Sequence, residues 1–148
     1  MGELVQLLSQ ETKIKVSSTL DKSVGKKHLT DGSPESCWTS QQGTPQFIQL
    51  SFDTAIIPKR IMLTFQGGFV GRICSIDIQR SGNEEHSKAK WERWTQVFPE
   101  DINRKQTFEL PGETVAQGVL GLKLIFEESS DFFGRITVYD LQLLGQML

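Results

Sequence analysis

Apolar and polar residues alternate along most of this chain in short, separate runs. From about Thr12 onward the apolar positions follow a period of two, the spacing of a β-strand with one buried face, rather than the 3.6-residue period of a helix. The runs predict eight strands, at residues 13–16, 47–52, 56–65, 74–78, 91–98, 107–110, 120–126 and 135–144. Turn-forming residues separate them, and no segment has the pattern of a crossover helix, so we expect an all-β, antiparallel two-sheet sandwich.

The inward positions of these runs define the expected core. Residues 120–126 alternate most clearly, and the last run is apolar on both faces, which predicts a central, buried strand. Before the first run, Leu4, Leu7 and Leu8 predict a short amphipathic turn or helix packed on the domain. The core residues predicted from the strands and their flanks are Trp38, Phe52, Leu63, Ile76, Leu122, Leu124 and Val138.

The length of the chain predicts a single domain over residues 1–148. The formal net charge is −2. This balance provides no general attraction to nucleic acid, and no apolar run approaches the length of a membrane span, so we expect neither direct nucleic-acid binding nor a membrane location. The first residues lack the basic flank of a secretory signal, which predicts a protein that is not secreted. The polar stretch at 81–90 predicts a mobile loop.

The densest run of turn formers lies at residues 28–40 and ends close to Trp38. Asp31-Gly32 tolerates a positive φ, Ser33-Pro34 presets another turn, and Trp38 can anchor the loop to a core. This segment resembles the Asp-Gly-x-x-x-(Ser/Thr)-x-Trp signature of discoidin domains, the coagulation factor C-type modules of the galactose-binding-like fold. The resemblance implies the jelly-roll version of the sandwich.

Five further segments narrow the resemblance to one intracellular branch of that family whose partner is an orphan nuclear receptor. They are residues 25–29, 65–69, 98–101, 106–108 and 131–135. The resemblance implies binding to such a receptor, repression of its transcriptional activity, and a location in nucleus and cytoplasm. Secreted discoidin domains usually join their two ends by a disulfide, whereas Cys37 and Cys74 lie far from the termini. We therefore expect two free thiols in a reducing compartment.

Catalytic and metal-binding motifs are missing from the sequence, which predicts a protein that is not an enzyme and requires no cofactor. There is no Gly-x-Ser-x-Gly, no Cys-x-x-Cys and no phosphate-binding lysine after the glycines at 67–71. The basic residues at 26–28 and 88–93 are short, interrupted clusters, and we interpret them as solvated surface.

Two loops are the candidate surface for a protein partner, because an exposed aromatic beside an arginine is a typical interface anchor. The first is 66–71 with the adjoining arginine, and the second is 131–135. In the alternative, both phenylalanines of the second loop are buried and its arginine pairs with its aspartate. The predicted partner-binding residues are Phe69, Arg72, Asp131, Phe132, Phe133 and Arg135.

The resemblance also implies a structural calcium site at the Asp31 loop. The ligand set carried over from calcium-binding relatives comprises Asp31, Ser36, the carbonyls of His28 and Ser33, and Asp140 on the last strand. Oxygen ligands of this kind suit Ca²⁺. In the alternative, Asp31 caps its own turn, and Asp140 is satisfied by loop amides or by Lys27.

Two other functions stay open at this point. A calcium-dependent carbohydrate-binding module would use His28, Arg72 and Arg135, although their spacing does not match the lectin pattern well, so carbohydrate is the weaker partner hypothesis. A ciliary, intraflagellar transport subunit with a similar Asp-Gly loop and a similar aspartate-aromatic segment is the other.

Overall fold

The computed structural model describes residues 3–81 and 90–148, so most of the loop predicted to be mobile, 81–90, lies outside the described residues. The described chain forms nine strands, all paired antiparallel, which confirms the all-β prediction. The strands are β1 (Val5–Gln6), β2 (Lys13–Val16), β3 (Trp38–Thr39), β4 (Gln46–Phe65), β5 (Gly71–Arg80), β6 (Trp91–Val97), β7 (Lys105–Glu109), β8 (Val119–Ser129) and β9 (Thr137–Met147). Three 3₁₀ turns occupy Lys22–Val24, Lys26–Leu29 and Gly112–Val115.

The 20-residue strand β4 belongs to both layers of the sandwich. Its first half lies between β2 and β8, and that layer continues through β5 to β6. Its second half lies between β7 and β9, and β9 also pairs with β1 and β3. The sequence predicted two strands here because Asp53 and Thr54 interrupt the apolar pattern. These exposed residues mark the corner at which the continuous strand leaves one layer for the other.

A register irregularity in β9 changes which side chains face the core. Thr64 of β4 stands opposite Asp140, but the next residue, Phe65, stands opposite Val138, so Tyr139 is an extra residue in the strand. Such a bulge reverses the alternation of side chains. Val138 before the bulge and Leu141 after it are therefore both buried, although they differ in parity.

Burial confirms most of the predicted core. Six of the seven predicted residues are 0% exposed: Trp38, Leu63, Ile76, Leu122, Leu124 and Val138. Phe52 is the exception and is only partly buried, because it lies at the β4 corner where the first layer ends. The indole of Trp38 donates from Nε1 to the carbonyl of Ser18 at 3.0 Å, which satisfies the polar atom of this buried ring.

The amino-terminal segment is a strand, so the prediction of an amphipathic turn or helix is wrong. Val5 and Gln6 pair with Gly145 and Leu144 at the edge of β9. This pairing satisfies backbone groups that a helix at this place would leave open on the sheet edge. Leu8 is buried and Leu7 packs against the core, as the apolar pattern indicated.

The two cysteines are free thiols in different environments. Cys37 is half-buried and Cys74 is fully buried in β5. Burial raises the pKa of the Cys74 thiol far above its ordinary range, so this sulfur stays protonated.

Within the described residues, no helix has the length and apolar character needed to cross a membrane.

Candidate partner-binding site

Two loops lie side by side at one end of the sandwich: residues 66–70 after β4, and residues 130–136 between β8 and β9. Backbone bonds connect them, since the Ser130 N–H donates to the Val70 carbonyl at 2.8 Å and the Thr137 N–H donates to the Phe69 carbonyl at 3.1 Å. The Ser130 hydroxyl oxygen accepts from the Val70 N–H at 2.9 Å. The two loops therefore form one connected surface rather than two independent tips.

Asp131 closes the second loop onto itself. Its Oδ2 accepts from the backbone N–H of Arg135 at 3.0 Å and from the Arg135 Nε at 3.2 Å. Burial alone would raise the pKa of the Asp131 carboxyl, but the hydrogen bonds and charge of Arg135 outweigh it and bring the pKa below its ordinary value. The carboxylate is consequently charged and engaged at neutral pH.

The closed loop presents its two phenylalanines to solvent. Phe132 is 93% exposed and Phe133 is 55% exposed, with the two rings in an edge-to-face arrangement at 5.2 Å. The loop packs on residue 43 of a neighbouring turn, where the Gly43 N–H donates to the Phe133 carbonyl at 2.8 Å. Gly134 has a φ of +84°, and a Cβ there would lie 2.8 Å from the Gly43 nitrogen, so this close approach requires glycine.

The remaining predicted residues flank these rings. The Arg135 guanidinium lies 5.1 Å from the centre of the Phe69 ring. Arg72 pairs with Glu128 at 3.2 Å, and both side chains are about half exposed, at 49% and 54%. We call Phe69, Phe132, Phe133 and Arg135 the aromatic loop surface. Each of the two interpretations made from the sequence is right in part. The phenylalanines of the second loop are exposed, as the first requires, and Arg135 pairs with Asp131, as the second requires.

The Asp31 loop forms a separate hydrogen-bonded turn. Asp31 Oδ1 accepts from the Ser33 N–H at 2.9 Å, whereas its Oδ2 accepts from the Ser36 hydroxyl at 2.7 Å and from His28 Nδ1 at 2.9 Å. The bond from His28 lowers the pKa of Asp31 most, and with the bonds from Ser33 and Ser36 it brings the value to about 2. Both carboxylate oxygens are thus used inside the loop.

Asp140, the remaining predicted calcium ligand, has a different set of neighbours. Its Oδ2 accepts from the Gln142 side-chain amide at 2.8 Å, and it lines a cleft of about 480 Å³ with Ser33 and Asn103. The described residues hold no group of three or more His, Cys, Asp or Glu side chains placed to bind a metal. The hydrogen bonds of Asp31 favour the alternative in which this residue caps its own turn, and calcium at this loop stays a prediction that is tested below.

The three residues considered for carbohydrate binding each have a partner of their own. His28 bonds to Asp31, Arg72 pairs with Glu128, and Arg135 pairs with Asp131. Sequence reasoning did not find a cleft of about 820 Å³ between the Asp31 loop and β2, which Lys13, Lys26 and Lys27 line. The signal available in the sequence was the basic cluster at 26–28, but only the fold brings it and Lys13 to one cleft.

Comparison with known proteins identifies full-length relatives. The chain is 38% identical over 143 residues to the nuclear receptor 2C2-associated protein of Danio rerio, covering 95% of both chains. It is 36% identical to the protein of that name from Homo sapiens, covering 95% of this chain and 96% of the human one. No protein-family model matches the sequence.

Solved structures with the same fold are distant in sequence. An F5/8 type C domain from Bacteroides fragilis superimposes with a TM-score of 0.77 at 13% identity, covering all of both chains. A family 32 CBM from C. perfringens NanJ, solved in complex with galactose, has a TM-score of 0.74 at 12% identity and covers 96% of this chain and 99% of that one. The predicted jelly-roll, galactose-binding-like fold and the discoidin resemblance are confirmed.

Proposed function

The chain belongs to the family of nuclear receptor 2C2-associated proteins, and we propose that it is a non-catalytic module that binds a nuclear receptor. The observation that carries this proposal is the identity of 36–38% to such proteins over 95% of the chain. The fold supports the non-catalytic part of the proposal, since it is a binding-module type.

We place the receptor contact on the aromatic loop surface. Interface hot spots are rich in large aromatics and arginines that a partner can desolvate, and Phe132 is 93% exposed in the free protein. The hydrogen bonds of Asp131 and the packing of Gly134 on Gly43 fix the loop before binding. A loop ordered in advance loses less conformational entropy when the partner docks.

Repression of the receptor's transcriptional activity is the finer part of the proposal. By occupying the receptor's surface, the chain would keep the receptor from its DNA element. We place the chain in the nucleus and in the cytoplasm. Its own contact with DNA is not required, and the net charge of −2 does not favour one. We do not assign carbohydrate binding, because the three candidate side chains are engaged with separate carboxylates.

Direct binding of the purified chain to full-length nuclear receptor 2C2, followed by a receptor-driven reporter assay in cells, tests the proposal. We expect binding, and reduced reporter activity when the chain is overexpressed. Met147→Ala is a suitable control variant, because Met147 is 62% exposed and lies near the opposite end of β9 from the 131–135 loop. No binding to the receptor, together with co-purification of intraflagellar transport proteins or a signal on a glycan array, would replace the proposal with one of the other two functions.

A further inference from the structure

A second surface is the cleft of about 820 Å³ described above, which lies between the Asp31 loop and β2. Strand β2 contributes Lys13 and Ile14 to its wall, and the 3₁₀ turn Lys26–Leu29 contributes Lys26, Lys27 and His28. We call this the lysine cleft. It shares no residue with the aromatic loop surface, so the inference made from it does not depend on the proposed function.

The charges around the lysine cleft are unbalanced. Lys26 and Lys27 are exposed and make no ion pair within the described residues. Lys13 pairs with Asp53 at 3.5 Å, but these side chains are 72% and 88% exposed, and such pairs are weak in water. Among the residues that the structure describes, the one acidic group lining the cleft is Asp31, and it is already bonded to His28 and Ser36. The cleft therefore offers uncompensated positive charge on a chain whose net charge is negative.

The β2 side of the cleft also offers backbone groups. The Ser17 N–H donates to the Phe47 carbonyl at 3.0 Å, and the same register places Lys15 opposite Gln49 and Lys13 opposite Ser51. In an antiparallel pair only alternate residues bond to the partner strand, so the N–H and C=O groups of Ile14 and Val16 point away from β4. Within the described residues, β4 is the one strand that pairs with β2, and the backbone groups of Ile14 and Val16 make no backbone hydrogen bond outside that pairing. β2 is therefore an open sheet edge beside three lysines.

We propose that the lysine cleft binds an extended acidic peptide segment of a partner protein, which adds to the free edge of β2 as a further strand. The backbone groups of Ile14 and Val16 would bond to the peptide main chain, while Lys13, Lys26 and Lys27 attract its carboxylates. An edge strand of this kind recognises a polypeptide backbone, which a nucleic acid does not have. The combination of an open edge with lysines thus favours a peptide over a nucleic acid.

Fluorescence anisotropy with a labelled decapeptide of alternating Glu and Val tests the charge requirement. We expect binding that weakens as salt rises, and a loss of at least about tenfold when Gln replaces each Glu. The double variant Lys26→Glu/Lys27→Glu should abolish binding. Lys105→Glu on β7 adds the same kind of charge at an exposed position outside the cleft and should leave the affinity unchanged. The proposal would be overturned if the Gln peptide bound as tightly as the Glu peptide. It would also be overturned if the Lys26→Glu/Lys27→Glu variant bound the Glu peptide as tightly as the Lys105→Glu variant does.

Amide exchange of the full chain tests the backbone requirement. In the free protein the amides of Ile14 and Val16 should exchange faster than that of Lys15, which bonds to β4. With the Glu-Val peptide bound, we expect protection of the first two. N-methylation of one alternate set of peptide nitrogens should abolish binding, whereas N-methylation of the other set should not. Binding without protection of Ile14 and Val16, or equal tolerance of both N-methylated peptides, rules out strand addition.

Discussion

The guanidinium group of Arg135 lies 5.1 Å from the centre of the Phe69 ring, in a different loop. The same guanidinium is bonded to Asp131 at 3.2 Å, so it is fixed from two directions. Arginine stacked on an aromatic face and paired with a carboxylate loses little further freedom on binding. Arg135 therefore contacts both loops of the aromatic loop surface, beside the almost fully exposed ring of Phe132.

Truncating Phe132 is expected to weaken receptor binding without affecting the fold. The side chain is 93% exposed, so Phe132→Ala should change the free energy of unfolding by less than about 0.5 kcal/mol. A hot-spot contact predicts a loss of at least about 1 kcal/mol in binding, roughly fivefold in Kd. Calorimetric titration and thermal melting measure the two quantities. A large drop in Tm would show that the ring supports the fold, and an unchanged Kd would remove it from the interface.

The two arginines near this surface are expected to differ in importance. Arg135→Glu places a second carboxylate beside Asp131 and removes the contact with Phe69, so it should weaken binding more than about tenfold. Arg72→Glu loses only a half-exposed pair with Glu128 and should cost under about 1 kcal/mol of binding. Titration of both variants at one salt concentration makes the comparison. Equal losses would place Arg72 at the centre of the interface.

Leu124 is a test of the core. It is 0% exposed, and it lies in β8 opposite Ile48 of β4 and Ile76 of β5. Leu124→Ala should lower the free energy of unfolding by roughly 2–5 kcal/mol, through lost burial and a cavity. Chemical denaturation measures this change, with Met147→Ala as an exposed control expected to be nearly neutral. A midpoint for Leu124→Ala equal to that of the unchanged protein would mean that the residue faces solvent.

The Asp31 turn predicts a dependence of stability on acid. The pKa of Asp31 falls from 3.8 to about 2 on folding, so its stabilising bonds are fully present above pH 3.8 and are lost as the pH falls toward 2. Asp31→Asn should lower the free energy of unfolding at pH 7 by about 1 kcal/mol and flatten its decline between those pH values. Asp53→Asn, whose carboxylate is 88% exposed, serves as the control in urea melts across this pH range. The same acid profile in both variants would contradict the assignment.

Calcium is expected to leave the melting temperature unchanged. Asp31 accepts hydrogen bonds from His28 and Ser36, and Asp140 accepts one from Gln142, so a calcium ion would have to displace these bonds. A bound ion present at about one hundred times its Kd would stabilise the fold by about 2.7 kcal/mol, or roughly 5–10 °C for a domain of this size. Melting curves with excess calcium and with a chelator decide between the two. A rise of that size with calcium, absent in Asp31→Asn, would restore the calcium site.

The strands were predictable because their side chains carry the period-two pattern. The predictions that differ from the structure concern features set by pairing between strands and by the ends of the layers, which this pattern does not contain. Asp53 and Thr54 look like a break between strands, but β4 is continuous through them: it pairs with β8 up to Ser51, and from Ile56 onward it pairs with β9. Phe52 has the parity of a core residue and loses burial only because the layer ends beside it. The bulge at Tyr139 depends on pairing with a strand more than 70 residues earlier, which local periodicity does not contain.

The candidate site was predictable in its residues but not in its exposure. An aspartate four residues before an arginine indicated the Asp131 pair, and the structure contains that bond. Hydropathy favours burial for any phenylalanine, whereas Phe132 is exposed in a loop that packs through Gly134 on Gly43, 91 residues away in the chain. The lysine cleft likewise depends on tertiary structure, since Lys13 and Lys27 meet only after β2 and the 3₁₀ turn pack together.

The passage of β4 from one layer into the other determines how the molecule comes apart. Its first half is hydrogen-bonded to β2 and β8, and its second half to β7 and β9, so neither layer can separate without breaking pairings of the same strand. Opening in the native state should therefore be limited to the ends of the chain and the loops, while both layers unfold as one cooperative unit. Phe69 of the aromatic loop surface lies four residues after the end of this strand, so a partner bound there would sit beside a strand that opens only when the whole domain unfolds.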